Sequence, residues 1–199
     1  MKLVTAARNL TLAAGLALSL SACGINSVPT KEEAAKAAWG DVEAAFQSRT
    51  NLLPNIEALV KGARQGEEDI FVGVAEARSR AGSIQISDAD LSDPEKLAQY
   101  AGAQNALGSG LSRLFATIES NPNPQFTQNI ETAQSQVEGA ENRIRIAIKD
   151  YNEAVRDYNT EIRTFPGIIG ANVIHGAEPL APYEAATEGA EEAQVIDIS

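Results

Sequence analysis

The fold is decided by residues 126–165, FTQNIETAQSQVEGAENRIRIAIKDYNEAVRDYNTEIRTF, in which apolar side chains recur every three or four residues. A helix turns once in about 3.6 residues, so this spacing places the apolar side chains on one face. They are Phe126, Ile130, Ala133, Val137, Ala140, Ile144, Ile148, Tyr151, Val155, Tyr158, Ile162 and Phe165. Their mean spacing of about 3.5 residues is typical of the seam of a left-handed bundle. The stretch therefore predicts one very long helix, approaching ~60 Å at about 1.5 Å per residue.

Three weaker helical patterns precede this stretch. The first begins near Thr30, because Thr30 and Glu33 have the spacing of a capping box. Its apolar stripe, which includes one charged residue, consists of Trp39, Val42, Phe46, Arg49, Leu53, Ile56, Val60 and Ala63. Pro54 lies inside this stripe and lacks the amide proton of a helix interior. We therefore predict a kink near Asn51 in a helix that continues beyond it.

A loop separates the second and third helical patterns. The second covers residues 67–81, and residues 83–93 show no helical spacing. Asp93 followed by Pro94 is a typical helix start, and the third helix extends to about Ser120. Its apolar markers are Leu97, Leu107, Leu111, Leu114 and Ile118, and its glycines are Gly102, Gly108 and Gly110. Glycine weakens a helix, so these three glycines predict close packing against a neighbouring helix.

No segment longer than a few residues alternates with the period of a strand. Residues 121–124 predict a turn, residues 165–167 end the last helix, and residues 168–182 predict a loop that lies back on the bundle. We therefore predict an all-α fold. It is a long antiparallel up-and-down bundle of about four helices, the first kinked near Pro54 and the last very long.

The amino-terminal residues have the three-part layout of a secretory signal. A basic flank precedes residues 10–20, and these eleven uncharged residues are too few to cross a bilayer, which takes about 20. The next segment, Leu20-Ser21-Ala22-Cys23, resembles the bacterial lipobox, in which the signal is removed and the cysteine receives acyl chains such as palmitate. The resemblance predicts that residues 1–22 are a lipoprotein signal peptide. It also predicts lipid on Cys23 that holds the protein on an envelope membrane, facing the periplasm.

The remaining chain divides into three parts. Residues 23–31 are short and polar and predict a lipidated tether, and residues 32–185 predict the helical bundle with its carboxy-terminal loop. Residues 186–199 are acidic and small, which predicts a disordered tail. Gly24 is compatible with export to the outer membrane under the enteric sorting rule. The single cysteine excludes a disulfide within the chain.

The chain is strongly acidic. Removal of residues 1–22 would leave 14 basic against 27 acidic residues, a net charge of −13. Such a surface repels phosphate backbones and anionic lipid headgroups. We therefore expect no nucleic-acid partner, and we expect membrane contact to come from lipid and not from a basic patch.

Residue types for metal or nucleophilic chemistry are scarce. A di-iron bundle site needs two Glu-x-x-His elements, whereas this chain has one histidine, His175, and one cysteine. Acidic clusters such as residues 67–69 lack the spacing of a calcium loop, and no Gly-x-Ser-x-Gly elbow occurs. We therefore expect no metal, no cofactor and no enzyme. A carboxylate such as Glu141 acting on cell-wall glycans stays open as an alternative.

Several polar side chains lie beside the apolar stripes. They are Arg49, Asn51, Asn55, Asn142, Asn152 and Asn159, together with Tyr151 and Tyr158, which share a face one heptad apart. Buried polar groups must find partners. These residues either line a ligand groove between helices or form interhelix hydrogen bonds that fix register, and the second role is the more frequent one.

Two groups of residues go beyond a generic helical pattern. The first is Arg49-Thr50-Asn51-Leu52-Leu53-Pro54-Asn55, with Lys61 and Glu76-Ala77-Arg78 downstream; the second is Glu141-Asn142-Arg143-Ile144, Tyr151-Asn152, Val155, Tyr158-Asn159 and Phe165-Pro166. Together they resemble the LemA family of bacterial envelope proteins over residues 36–185. The resemblance implies a long helical bundle that is anchored at its amino end and has no established catalytic role.

The chain departs from the family pattern in three places. A lipobox stands where the family usually has an uncleaved membrane helix, residues 121–124 replace the usual Tyr-Pro segment, and the region after Pro166 matches loosely. We expect a lipid-tethered interaction or scaffold protein that docks onto another envelope protein. An envelope hydrolase and a small-ligand receptor with a pocket near Arg49 and Tyr151 are the alternatives.

Overall fold

The computed structural model describes residues 2–63, 68–120 and 127–184, with side chains over 26–58, 72–120 and 128–184. The helices are α1 (Lys2–Thr50), α2 (Leu53–Ala63), α3 (Glu68–Ser83), α4 (Pro94–Ser120), α5 (Thr127–Glu161) and α6 (Gly167–Gly170). A 3₁₀ turn covers Asp88–Ser92, and a π turn covers Ala171–His175. The described residues contain no strand, which confirms the predicted all-α class. The predicted turn at 121–124 and the predicted tail at 186–199 lie outside the described residues.

The first helix begins earlier than the capping box predicted. Residues 23–31, the predicted tether, are helical within α1. The Thr30 hydroxyl accordingly does not cap a helix start and donates to the Asn26 carbonyl one turn earlier, at 2.7 Å. Packing explains the continuation, because Val28 is fully buried and the Ser27 hydroxyl donates to Glu161 of α5. The packed bundle therefore begins before residue 32.

The first helical stripe is interrupted just before Pro54. We expected a kink without a stop, but α1 ends at Thr50 and α2 begins at Leu53. Pro54 has no amide proton to donate to the carbonyl of Thr50, four residues before it. The chain between the two helices forms a tighter turn, in which the Leu52 amide donates to the Arg49 carbonyl at 3.1 Å. Proline is tolerated in the first turn of the new helix, where no donor is needed.

The third predicted helix has the start that its sequence indicates. The Asp93 carboxylate accepts the amide protons of Glu95 at 3.0 Å and Lys96 at 3.2 Å, which confirms the predicted cap of α4. The predicted loop before it contains the 3₁₀ turn. All five apolar markers of α4 are buried: Leu97, Leu107, Leu111, Leu114 and Ile118.

The three glycines of α4 differ in their surroundings. A Cβ at Gly108 would lie 3.2 Å from the Arg49 guanidinium, and one at Gly110 would lie 3.5 Å from Val74 of α3. Close approach therefore explains Gly108 and is consistent with Gly110. The prediction is wrong for Gly102, where a Cβ would meet nothing within 4 Å.

The long helix α5 contains 35 residues, which is about 52 Å at 1.5 Å per residue. It ends at Glu161, so the predicted extension of the helix to Phe165 is wrong. The Phe165 side chain is also not part of the buried stripe, because it is 70% exposed. Pro166 disfavours the helical conformation of the residue before it, so the chain turns there. The predicted loop at 168–182 is helical to His175 and has no helix or strand over 176–184, where Leu180, Ala181 and Tyr183 are buried.

The buried side chains form two clusters along the bundle. One lies between α1, the start of α4, α5 and residues 176–184 and contains Trp39, Tyr100 and Tyr151. The other lies between α2, α3, α4 and the first half of α5 and contains Leu53, Leu111 and Val137. Over the residues whose side chains are described, no helix is long and apolar enough to cross a membrane.

Candidate functional site

Arg49 is the most deeply buried charged side chain of the described residues, with 2% of its surface exposed. Its Nη1 donates to Glu141 Oε1 at 2.8 Å, and its Nη2 donates to the main-chain oxygen and Oε1 of Gln104 at 2.9 and 2.8 Å. These partners belong to α5 and α4. The guanidinium therefore links three helices through charge-assisted hydrogen bonds, which are stronger than neutral ones.

The neighbours of Arg49 make room for its head group. The guanidinium carbon lies 5.2 Å from the centre of the Phe46 ring, one turn earlier in α1. Gly108 of α4 faces it, and a Cβ there would lie in tight contact with Nη1, at 3.2 Å. Arg49 Nε is buried without a hydrogen-bond partner among the described residues, so the site is fitted to the two Nη groups.

The other polar positions of this segment do not join Arg49. Asn51 and Asn55 are exposed, and the Asn51 side chain accepts from Gln47 at 2.8 Å. Asn55 borders a shallow groove of about 450 Å³ between α2 and α5. Asn142 is also exposed, and its amide oxygen accepts from Arg145. The sequence placed these three side chains near the helix interfaces, but the structure turns them outward.

Asn152 and Asn159 bind the backbone of the returning chain. Asn152 accepts the Tyr183 amide proton at 2.8 Å and donates to the Tyr183 carbonyl at 2.9 Å. Asn159 accepts the Leu180 amide proton at 2.9 Å and donates to the Leu180 carbonyl at 2.8 Å. Each asparagine thus forms a closed pair of hydrogen bonds with one residue. We call these two asparagines and residues 178–183 the carboxy-terminal clamp.

The heptad spacing of the asparagines explains the fit. Seven residues of helix rise about 10.5 Å, and three residues of extended chain span about 10 Å, so the two repeats match. The tyrosines preceding the asparagines complete the contact: Tyr151 donates to the Ala181 carbonyl at 2.8 Å, and Tyr158 donates to the Glu178 carbonyl at 3.1 Å. The paired Tyr-Asn units therefore hold the returning segment of the chain and not a neighbouring helix.

Aromatic rings fill the space under the clamp. Trp39 lies 5.2 Å from Tyr151, 5.5 Å from Tyr100 and 6.4 Å from Tyr183, measured between ring centres. Burial raises the pKa of Tyr100 to about 12 and also raises the pKa values of Tyr151, Tyr158 and Tyr183. These are all four tyrosines of the chain.

We expect no tyrosine of the folded protein to ionise near its ordinary pKa of about 10. A raised folded-state pKa means that stability is full below pH ~10 and falls as pH rises toward the folded-state values, because only the unfolded chain loses its protons there. The loss is about 1.4 kcal/mol per pH unit for each affected tyrosine. Tyrosinate absorbance followed together with circular dichroism checks this. A tyrosine that ionises near pH ~10 while the helical signal is intact would contradict it.

A second contact network lies where α1 meets the end of α5. Glu161 accepts from the Ser27 hydroxyl and forms an ion pair with Lys31 at 3.3 Å. The hydrogen bond from Ser27 and the neighbouring Lys31 hold the pKa of Glu161 below its ordinary value. Gly167 lies directly against Glu161, since a Cβ there would be 2.6 Å from the carboxylate Oε1 and 2.4 Å from the main-chain oxygen. This network fixes the amino-terminal part of α1 against α5 and α6.

Sequence reasoning missed the partners in these networks. Gln104 carried no signal beyond its helical position, and Leu180 and Tyr183 contribute main-chain atoms to the clamp, which sequence does not mark. Glu141 was considered as a candidate acid and is instead the partner of Arg49. The side chain of Cys23 lies outside the described ones, so its lipidation stays a prediction.

Within the described residues, no group of three or more histidine, cysteine or acidic side chains is placed to hold a metal ion. A groove of about 710 Å³ runs between α3 and α4 and is lined by small residues together with Arg80 and Arg113. None of the three networks described above, around Arg49, in the clamp and around Glu161, contributes a residue to its lining.

Comparison with known proteins agrees with the pattern of these residues. No curated protein matches the chain. The sequence does match the profile of the LemA family over residues 38–198, a span that contains Arg49, both Tyr-Asn pairs and the returning segment. The chain therefore belongs to the LemA family.

Proposed function

We propose that the protein is a non-enzymatic interaction module of the bacterial cell envelope, held on a membrane by lipid on Cys23. The observation that carries this proposal is the use of the polar stripe residues. Arg49, Tyr151, Asn152, Tyr158 and Asn159 all bind other parts of the same chain. These polar side chains therefore hold the bundle together, and they do not line a cleft for a substrate.

The contacts between α1 and α5 support an antiparallel arrangement of these two helices. Ser27 near the start of the packed region meets Glu161 at the end of α5, and Arg49 at the end of α1 meets Glu141 nearer its start. Such a bundle is a spacer of about 50 Å that presents its far end away from the anchor. This geometry suits a protein that displays a surface to a partner at a set distance from the membrane.

The surface offered to a partner is acidic. Glu131, Glu138, Glu153 and Asp157 of α5 are exposed, and removal of the signal would leave a net charge of −13, from 14 basic and 27 acidic residues. Charge of one sign speeds association with partners of the opposite sign and disfavours others. A basic face on another envelope protein is therefore the partner chemistry we propose.

The hydrolase alternative gains no support from its best residue. Glu141 Oε1 accepts from Arg49, and the second partner of Arg49 is the buried Gln104. The LemA family is also not known as a family of enzymes. Release of fragments from purified cell wall by the wild type, lost in Glu141→Gln, would favour the alternative.

In-cell photo-crosslinking tests the proposal. A photoreactive amino acid is placed at Glu138 or at Glu153 in the full chain, and both sites are repeated in the Cys23→Ala background. We expect a discrete adduct with an envelope protein in the anchored form, and a strongly reduced adduct without the anchor. Absence of adducts above the unirradiated background at both positions would contradict the proposal.

A further inference from the structure

The exposed apolar side chains are concentrated in one short segment. Of the seven large hydrophobic residues that are exposed in the described chain, five lie between residues 165 and 174. They are Phe165 at 70%, Ile168 at 38%, Ile169 at 41%, Val173 at 78% and Ile174 at 54% exposure. The remaining two, Val72 and Ile146, lie on other helices. A cluster of this kind marks a contact surface and not scattered exposure.

The segment places its small residues inward and its large residues outward. Gly167, Gly170 and Ala171 are buried, and a Cβ at Gly167 would overlap the Glu161 backbone. A helix that packs only for folding has the opposite arrangement, with large apolar residues facing the core. The outward face of residues 165–174, which we call the apolar patch, is therefore suited to an apolar environment outside the bundle.

The patch lies beside the amino-terminal anchor. Residues 167–175 pack against α1, and Ala171 shares a buried cluster with Val28. Ser27 donates to Glu161, which lies against Gly167. Ser27 is four residues after Cys23, which is about 6 Å along the helix. Lipid on Cys23 would bring the bilayer surface to this end of the bundle.

The charge around the patch also fits a bilayer. No acidic residue occurs between Glu161 and Glu178, although the chain has 27 acidic residues. A second copy of the chain carries the same net negative charge, which opposes its association with this one. The hydrocarbon boundary of a neutral bilayer carries no such penalty, and apolar side chains insert there by the hydrophobic effect.

We propose that Phe165, Ile168, Ile169, Val173 and Ile174 insert into the membrane that carries the Cys23 anchor. This proposal rests on the proposed lipid tether. It adds a second attachment point, which fixes the tilt of the bundle on the membrane. Insertion depends on apolar contact, so anionic lipid is not required.

Quenching by brominated lipid tests the insertion. The full-length protein is purified from membranes as Val173→Trp and as the matched control Ile146→Trp, an equally apolar exposed site on α5. Each is reconstituted into phosphatidylcholine vesicles with and without bromine on the acyl chains. The fluorescence of the wild-type protein, which comes from the buried Trp39, is measured as the background and subtracted. We expect brominated lipid to reduce the added fluorescence about twofold or more at position 173 and to leave it unchanged at position 146.

The outcomes separate the patch from the tether. Acylated, vesicle-bound protein without quenching at position 173 would overturn the patch and leave the tether intact. Quenching at position 173 in protein that carries no acyl mass would support the patch and reject the tether. An unquenched indole at position 173 whose emission is that of a buried residue would place a second copy on the patch and overturn the membrane contact.

Discussion

Replacement of Arg49 by alanine is expected to lower the free energy of unfolding by about 2–5 kcal/mol, because it leaves a buried acceptor without its donor and opens a cavity between three helices. The Arg49 side chain is 3% exposed, and its guanidinium binds Glu141 and Gln104 on two other helices. Its removal leaves the buried side-chain oxygen of Gln104 without the Arg49 donor, and it opens a cavity beside Gly108. Urea unfolding followed by circular dichroism measures the loss.

Arg113→Ala is the matched control for this prediction. Arg113 lies on α4 and its side chain is exposed. Its replacement is also arginine to alanine, but it removes no buried contact. We expect it to change stability by no more than about 0.5 kcal/mol. Equal stability of the two variants would show that the three-helix network contributes nothing to the fold.

The double replacement Asn152→Ala and Asn159→Ala is expected to release the carboxy-terminal segment. It removes four hydrogen bonds to the backbone of Leu180 and Tyr183, each contributing about 0.5–1.5 kcal/mol, or about 2–6 kcal/mol together. The protection of those two amides against hydrogen exchange should fall by a factor of about 30 or more, since 1.4 kcal/mol corresponds to a factor of ten. Exchange followed by mass spectrometry measures this directly.

Asn142→Ala provides the control for the clamp. Asn142 is exposed on the same helix and contacts only the side chain of Arg145 in the described network. Its replacement should leave exchange in residues 178–183 unchanged. If the double variant keeps wild-type protection there, Tyr151 and Tyr158 hold the segment and the asparagines are dispensable.

The sequence was sufficient for features that depend on local periodicity. The buried face of α5 follows the three-four spacing from Ile130 to Tyr158, because packing selects side chains once per turn. The Asp93 cap was also predictable, since its two hydrogen bonds involve residues only two and three positions away. Local chemistry of this kind leaves its mark in adjacent residues.

Features that depend on distant backbone could not be predicted. The spacing of Asn152 and Asn159 was visible, but their partners are peptide groups 31 and 21 residues later, and peptide groups are the same in every sequence. The end of α5 was misplaced for a related reason. Phe165 continued the apolar spacing, but its side chain is exposed in the segment that we propose inserts into the membrane.

The start of the packed bundle was misplaced because Thr30 and Glu33 have the spacing of a cap. A capping box stabilises a helix start only where the chain before it is not already helical. Here Val28 and Ser27 are fixed against the far end of the chain, so the helix passes through Pro29. Tertiary contacts therefore overrode the local signal.

The central claim of membrane attachment is tested most directly by the intact mass of the protein extracted from membranes, beside its Cys23→Ala variant. We predict that the wild type begins at Cys23 and carries added acyl mass, and that the variant carries none and is no longer retained in the membrane fraction. A wild-type protein that begins at Met1, or that lacks acyl mass at Cys23, would contradict the account.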